Sequence, residues 1–201
     1  MEIKEITKKL AKYRSQILIF IILGAVLGVG TYFLPPKYIA SGSFYIKRSI
    51  SGEKNYFTYE GYYGQQTALA YTNSVVALAE SLDIKRLVLD KLKIDVNEES
   101  LRKLSRMVRV KKTGPQVISI TVKADAYSLS ENIWTKLSES LLSTTYEINK
   151  DGDPNLMVVK ISDRPVVKEG YRSMLLFGIG GSLISFTLFS FYICFKEYLK
   201  D

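Results

Sequence analysis

The sequence predicts an α+β membrane protein in which two transmembrane helices flank one extracytoplasmic domain. The helices are predicted from two apolar runs, residues 17–34 and 174–195, because neither run contains a charged residue and about 20 such residues cross a hydrocarbon core as a helix. The domain is predicted from residues 35–173, where strand-like runs alternate with helical periodicities. That segment is long enough to form one hydrophobic core.

The orientation is predicted from the basic residues that precede the first apolar run: Lys4, Lys8, Lys9, Lys12 and Arg14. Short flanks rich in Lys and Arg stay in the cytoplasm. Residues 1–16 and 196–201 are therefore predicted to be cytoplasmic segments of a multi-pass protein of the plasma (inner) membrane. A cleaved signal peptide is the alternative, but the run is longer than a usual signal sequence and no clear small-x-small site follows it.

Charge and residue content limit the classes of function. The net charge is +8, but no nucleic-acid recognition motif accompanies it, so the basic residues are expected to serve topology, membrane lipid or an acidic polymer. The single cysteine, Cys194, lies in the second apolar run and cannot form an intrachain disulfide. The chain has no histidine, the commonest metal ligand. We predict no metal site, no cofactor and no nucleic-acid partner.

Small residues four apart occur in both apolar runs. Gly24 and Gly28 form a G-x-x-x-G in the first run, and the second run repeats this spacing in two pairs, Gly178 with Ser182 and Gly181 with Ser185. Small residues at this spacing let helix backbones approach closely. We predict helix packing through Gly24, Gly28, Gly178 and Ser182, within one subunit or between the subunits of a homo-oligomer.

The first half of the domain is predicted to contain one strand and three helices. Aromatic and β-branched residues favour a strand at 38–46. A loop at 47–64 follows, with five aromatic residues within 56–63 whose rings either contact glycan or pack on the domain. Two helices are predicted at 65–82 and 84–92. Asn97 is predicted to cap a third helix that runs to about Met107, with two glutamates in its first turn.

The third helix and the residues after it carry a group of cations: Arg102, Lys103, Arg106 and Arg109. Side chains three or four residues apart share one helix face. Together they are predicted to contact an acidic polymer, lipid head groups or another subunit. The alternative is a solvated face, or salt bridges across a subunit contact.

The second half of the domain is predicted to contain a hairpin, a long helix and a last strand. Short β-like runs at 108–112 and 117–123 surround a turn, and leucines four apart mark a helix at 125–148. A strand is predicted at 156–161, after which Pro165 and Gly170 lead into the second span. The order strand, helices, strand, strand, helix, strand is that of a ferredoxin-like (split βαβ) domain with extra helices.

This layout resembles the polysaccharide co-polymerases of the chain-length-determinant (Wzz-like) family, which includes membrane modulators of bacterial capsule tyrosine kinases. The resemblance covers the basic start, both spans, the strand opened by Pro36, Lys37 and Tyr38, the helical region 72–92, the strand at 117–122 and the helix after Asp125. It implies a compact, capsule-type member. Because no G-x-x-x-x-G-K motif occurs, any tyrosine kinase is expected to be a separate cytoplasmic chain.

The resemblance implies a non-enzymatic, oligomeric membrane protein that regulates the chain length or export of a surface polysaccharide such as O-antigen, capsule or exopolysaccharide. Its partners would be a polymerase or export machinery and a tyrosine kinase. A membrane-anchored sensor or glycan-binding module is the alternative. An enzyme would need paired carboxylates; Asp125, Glu131 and Glu139 lie on the polar side of the predicted long helix or near it, where a solvated role is expected, so no catalytic residue is predicted.

Overall fold

A computed structural model describes residues 12–49 and 59–199. Most of the predicted cytoplasmic segment 1–16 and part of the predicted tail 196–201 lie outside the described residues. The chain forms two compact units. We call the unit Pro36–Gly170 the α+β domain, and we call the two long apolar helices of the other unit the helix pair.

The helix pair consists of α1 (Arg14–Gly30), which ends in a 3₁₀ turn (Thr31–Phe33), and α6 (Met174–Tyr198). The stretches Arg14–Phe33 and Met174–Lys196 have mean hydropathies of 2.1 and 1.8. Both are long and apolar enough to span a membrane. The predicted apolar runs therefore form helices, and these are packed along each other.

The α+β domain alternates strands and helices in the order that the sequence predicts, with one strand added. The chain order is β1 (Tyr38–Arg48), α2 (Tyr59–Glu80), α3 (Leu82–Lys91), α4 (Glu98–Met107), β2 (Val108–Gly114), β3 (Val117–Ala124), α5 (Tyr127–Asp151), β4 (Leu156–Lys160) and β5 (Val166–Glu169). Ser81 caps α3, since its side chain accepts a hydrogen bond from the backbone N–H of Ile84.

The strands form one antiparallel sheet in the order β2-β3-β1-β4, and β5 pairs with the start of β1 beside β4. Alternate residues of β1 and β3 are fully buried on one face of the sheet: Ala40, Phe44, Ile46, Ile118, Ile120 and Val122. Residues from α2, α3, α4 and α5 complete the same hydrophobic core. The opposite face carries Ser41, Ser43, Ser119 and Thr121.

Trp134 of α5 is the largest fully buried side chain. Its indole Nε1–H donates to the Ile120 carbonyl oxygen at 3.1 Å, and its ring stacks on Phe44 with centroids 5.8 Å apart. Gly42 of β1 lies opposite Ile120, and a Cβ at Gly42 would stand closer than 3.0 Å to the indole. The backbone of β1 is therefore in direct contact with the ring, an approach that only glycine permits here.

The structure of the α+β domain differs from the sequence-based prediction in two places. The predicted aromatic loop 47–64 is helical from Tyr59 onward; glycines within a helix cost about 1 kcal/mol each but do not end it, and Gly64 is buried. Tyr56 and Phe57 lie outside the described residues, and Tyr62 and Tyr63 are exposed on α2. The strand β5 was not predicted, because four residues are too few for an alternating pattern to identify.

The end of β1 is joined to the segment between α5 and β4 by an ion pair between Arg48 and Asp153, with Nε and Oδ2 2.7 Å apart. The hydrogen bond from Arg48 lowers the pKa of the Asp153 carboxyl. A lowered pKa means that the pair stabilises the fold above the pKa of an unfolded aspartate, about 3.9, and that this contribution is lost as the pH falls through the lower folded value.

We therefore expect Asp153→Asn to lower the free energy of unfolding by about 1 kcal/mol at pH 7 and to have a smaller effect below about pH 4. Urea unfolding of the full-length protein in neutral detergent, followed by the fluorescence of Trp134, measures this, because the chain has one tryptophan. Asp163→Asn is the control, since Asp163 is exposed and has no ion pair within the described part of the chain. Equal effects at both positions would contradict the prediction.

Candidate functional site

The helix α4 holds three of the four predicted contact cations in place. Asn97 caps it in a capping box: the Asn97 side chain accepts from Ser100 N–H at 2.8 Å, and the Asn97 N–H donates to Ser100 Oγ. Leu104 is buried in the core, which fixes the rotation of α4 about its axis. The exposed side then presents Arg102, Lys103 and Arg106.

These three cations line a groove of about 510 Å³ together with residues from two other segments. Lys37, which precedes β1, and Lys123, near the end of β3, complete a set of five cations. Met107 and Ala124 supply apolar surface, and Glu99 and Asp125 supply the carboxylates. We call this the basic groove; its nine lining residues are Lys37, Glu99, Arg102, Lys103, Arg106, Met107, Lys123, Ala124 and Asp125.

Only part of the positive charge in the basic groove is neutralised by ion pairs. Lys37 pairs with Asp125 at 3.3 Å, and Arg102 pairs with Glu98 one helical turn before it at 2.7 Å. Both pairs are exposed, so each contributes little to stability. Within residues 12–49 and 59–199, the other three cations, Lys103, Arg106 and Lys123, have neither a hydrogen bond from the side chain nor an ion pair. The groove therefore carries excess positive charge available to a ligand.

Arg109, the fourth predicted contact cation, does not line the basic groove. The helix α4 ends at Met107, and Arg109 lies on β2 opposite Thr121. Residues that face each other across two strands point to the same face of a sheet, so Arg109 lies on the face opposite the hydrophobic core. At Val108 the chain changes from helix to strand, and the fourth cation therefore does not share the helix face of the other three.

The helix pair is in contact through glycines. A Cβ at Gly28 would stand closer than 3.0 Å to the Phe177 carbonyl oxygen, and a Cβ at Gly24 would stand closer than 3.0 Å to Ser185 and to the Gly181 carbonyl oxygen. Ser185 Oγ donates to the Phe20 carbonyl oxygen at 2.8 Å, which joins the two helices by a hydrogen bond. The predicted Gly24 and Gly28 thus lie where the two backbones meet.

Gly178 and Ser182, the predicted partners on α6, are placed differently from Gly181 and Ser185. A Cβ at Gly178 would make an ordinary contact of 3.4 Å with the Val29 side chain. The Ser182 hydroxyl donates to the Gly178 carbonyl oxygen of its own helix at 2.9 Å. The closest approach of the two backbones is therefore made by the second of the two small-residue pairs in α6.

Arg172, two residues before α6, forms hydrogen bonds that join the two helices of the helix pair at one end. Its guanidinium donates to the carbonyl oxygens of Tyr32, at 2.9 Å, and of Leu34 and Pro35. These carbonyls belong to the 3₁₀ turn after α1 and to the two residues that follow Phe33. A cation at a helix C-terminus is favourable, so Arg172 holds the segment after α1 against the start of α6.

Two of the three carboxylates considered for an enzyme are engaged in ion pairs. Asp125 pairs with Lys37, and Glu139 pairs with Lys136 on the same helix at 3.1 Å. Glu131 is half-buried on α5. Among the residues that the structure describes, no group of three or more His, Cys, Asp or Glu side chains is arranged to hold a metal ion.

Sequence reasoning missed three residues that matter here: Lys37, Lys123 and Arg172. Lys37 and Lys123 are 86 positions apart in numbering, and only the pairing of Ile39 with Lys123 brings them to one end of the sheet. Arg172 could have been found from its position, because an arginine beside an apolar run can bind the free carbonyls at the end of a neighbouring helix.

No family model matches this chain, and no curated protein matches its sequence.

Proposed function

We propose that this chain is a non-enzymatic, oligomeric membrane protein that regulates the chain length or export of a surface polysaccharide. The observation that carries the proposal is the layout: two apolar helices, one towards each end of the chain, pack as a pair, and the chain between them forms one α+β domain. This is the layout of the chain-length-determinant proteins that the sequence resembles. The polysaccharide itself enters through that resemblance.

The membrane location is supported by the exposed apolar surface of the helix pair. Val26 is 65% exposed and Leu175 is 69% exposed, in stretches of which only 11% is buried within the protein. Exposed apolar surface costs about 25 cal/mol per Å² in water and nothing comparable in lipid. We propose that both helices span the plasma membrane, that the basic residues before α1 keep that end in the cytoplasm, and that the α+β domain lies outside.

The ferredoxin-like interpretation of the α+β domain belongs to the same proposal. Its support is the antiparallel strand order β4-β1-β3-β2, with helices between β1 and β2 and between β3 and β4. That arrangement places β3 between two strands joined by a helical crossover, as the split βαβ unit requires. The helices α3 and α4 and the strand β5 are then additions to it.

A second part of the proposal concerns the cytoplasmic side. By the resemblance, the chain would modulate a separate tyrosine kinase, because nothing in the sequence matches a nucleotide-binding loop. The helix pair would transmit a conformational change of the α+β domain, or of a neighbouring subunit, to the cytoplasmic side. The two helices are in backbone contact, so a movement of one helix would displace the other.

Deleting the gene in its source organism and sizing the surface polymer tests the proposal. We expect the amount or the length distribution of the polymer to change and complementation with the full-length chain to restore it. Phosphotyrosine on the kinase encoded by the same organism is expected to fall in the deletion strain. An unchanged polymer, in both amount and length distribution, would contradict a role in polysaccharide assembly.

A further inference from the structure

We propose that the basic groove is a binding site for the phosphate groups of anionic phospholipids. The proposal goes beyond the role in polysaccharide assembly and requires only that the helix pair spans a membrane. Five cations from three segments surround the groove, and three of them have no partner among the described residues. Such a concave cluster of Lys and Arg attracts phosphate oxygens and can donate several hydrogen bonds to them.

The position of Lys37 in the chain selects a lipid over a soluble anion. Lys37 follows the last residue of the 3₁₀ turn after α1, Phe33, by four residues. Four residues of extended chain reach at most about 14 Å. Covalent connection alone therefore keeps Lys37 near the end of the first span, at the depth of lipid head groups if the helix crosses a bilayer.

The connection from the α+β domain to α6 also begins beside Lys37. The Gly170 N–H donates to the Lys37 carbonyl oxygen at 2.7 Å, and α6 begins four residues after Gly170, at Met174. Both connections of the α+β domain to the helix pair thus leave from one place, beside Lys37. Lys37, one of the residues that line the groove, is therefore held within a short length of chain of both helices.

The groove also has the composition expected of a lipid site. Met107 and Ala124 give it apolar surface, which suits the glycerol and upper acyl carbons of a lipid. The carboxylates Glu99 and Asp125 reduce the local charge, so binding is expected to be moderate and to weaken as salt is added. Arg106 and Lys123 line the groove from two different elements, α4 and β3, and both have charged groups that bind phosphate.

The test measures lipid binding to the full-length protein in neutral detergent by native mass spectrometry, with phosphatidylglycerol and phosphatidylcholine as probes. We expect the wild type to prefer phosphatidylglycerol. The double substitution Arg106→Gln with Lys123→Gln is expected to weaken phosphatidylglycerol binding by about 25-fold, since each cation near a membrane surface contributes about fivefold. Arg106→Lys with Lys123→Arg keeps both charges and should retain most of the affinity.

The matched control is Lys47→Gln with Lys111→Gln, which removes the same charge from exposed positions outside the groove. Lys47 lies ten residues along β1 from Lys37, about 33 Å away.

Loss of phosphatidylglycerol binding in the groove variant alone supports the site. Equal losses in both double variants, no loss in either, or equal binding of both lipids by the wild type would each overturn it. So would an acidic oligosaccharide that occupies the groove while phosphatidylglycerol does not bind. The polymer-sizing experiment is separate, so failure of one proposal leaves the other standing.

Discussion

Replacing Gly42 with valine is expected to lower the free energy of unfolding of the α+β domain by about 4 kcal/mol. A Cβ at this position would overlap the indole of Trp134, which is fully buried. Overpacking of a core costs about 1–3 kcal/mol. Displacing the ring also breaks the hydrogen bond from Nε1 to the Ile120 carbonyl oxygen, which leaves a buried donor without a partner at about 1–3 kcal/mol more.

Urea unfolding of the full-length protein in neutral detergent measures this effect through Trp134 fluorescence. The control is Ser43→Val, because Ser43 is the next residue of β1 and points to the opposite face of the sheet. Valine is favourable in strands, so this control should unfold close to the wild-type urea concentration. An unfolding midpoint for Gly42→Val that matches the control would show that the ring and the strand are not in contact.

A double-substitution cycle separates the overlap from a general intolerance of side chains in β1. Trp134→Leu removes the ring and is expected to cost about 3 kcal/mol by itself, the lower end of the range for truncation of a buried Trp to Ala. With leucine at position 134, the additional cost of Gly42→Val should fall well below 4 kcal/mol, because the group that it overlapped is gone. Circular dichroism replaces fluorescence as the measurement here, since the tryptophan is removed. Full additivity of the two costs would contradict the contact.

Much of the α+β domain follows from local patterns, and what does not follow depends on contacts distant in sequence. The hairpin of β2 and β3, the cap at Asn97 and the leucine repeat of α5 are determined within a few residues, so periodicity and capping predict them. The helical conformation from Tyr59 onward is not predicted, because the glycines and aromatic residues of 47–64 indicate a loop. The pairing of β5 with β1 joins residues more than 120 positions apart. A segment of four residues is too short to show a pattern that predicts this pairing.

The residues of the basic groove likewise include some that local sequence patterns predict and some that they do not. Arg102, Lys103 and Arg106 were predicted as a group because one helix turn brings them together, and the structure places them in one groove. Lys37 and Lys123 join them only through the pairing of β1 with β3. Arg109 was grouped with them by its distance in sequence, but the change from helix to strand at Val108 separates it. Charge spacing predicts a face only while the secondary structure continues.

Glycines show most clearly what a sequence leaves open. Gly28 and Gly30 are two positions apart in the same apolar run; composition does not distinguish them, and only the spacing of Gly28 from Gly24 favours Gly28. In the structure, Gly28 touches the Phe177 carbonyl, whereas a Cβ at Gly30 would meet nothing within 4 Å. The same contrast holds on α6 between Gly181, which meets the backbone of α1, and Gly180, which faces open space. A spacing of four identifies a candidate face, and the rotation of each helix decides which glycine is used.

We accordingly expect Gly28→Leu to separate the helix pair, with the paired state disfavoured by about 3 kcal/mol, the upper part of the range for overpacking. The Phe177 carbonyl oxygen and the Gly181 Cα of α6 stand in the way of the new side chain, and helices in lipid associate through close packing with no hydrophobic driving force between them. Spin labels at Leu23→Cys and Ile184→Cys, both exposed positions, in a Cys194→Ser background report the separation by pulsed electron paramagnetic resonance in lipid nanodiscs.

The wild type is expected to give one narrow distance distribution, and Gly28→Leu a broader and longer one. Gly30→Leu is the matched control, because it adds the same apolar volume two residues away where the structure has open space; its distribution should equal that of the wild type. If the helix pair also couples the α+β domain to a cytoplasmic partner, Gly28→Leu should fail to complement the deletion strain while Gly30→Leu succeeds. A narrow, wild-type distribution for Gly28→Leu would mean that the two helices are held together by other contacts, and the hydrogen bonds of Ser185 and Arg172 would then be the first to remove.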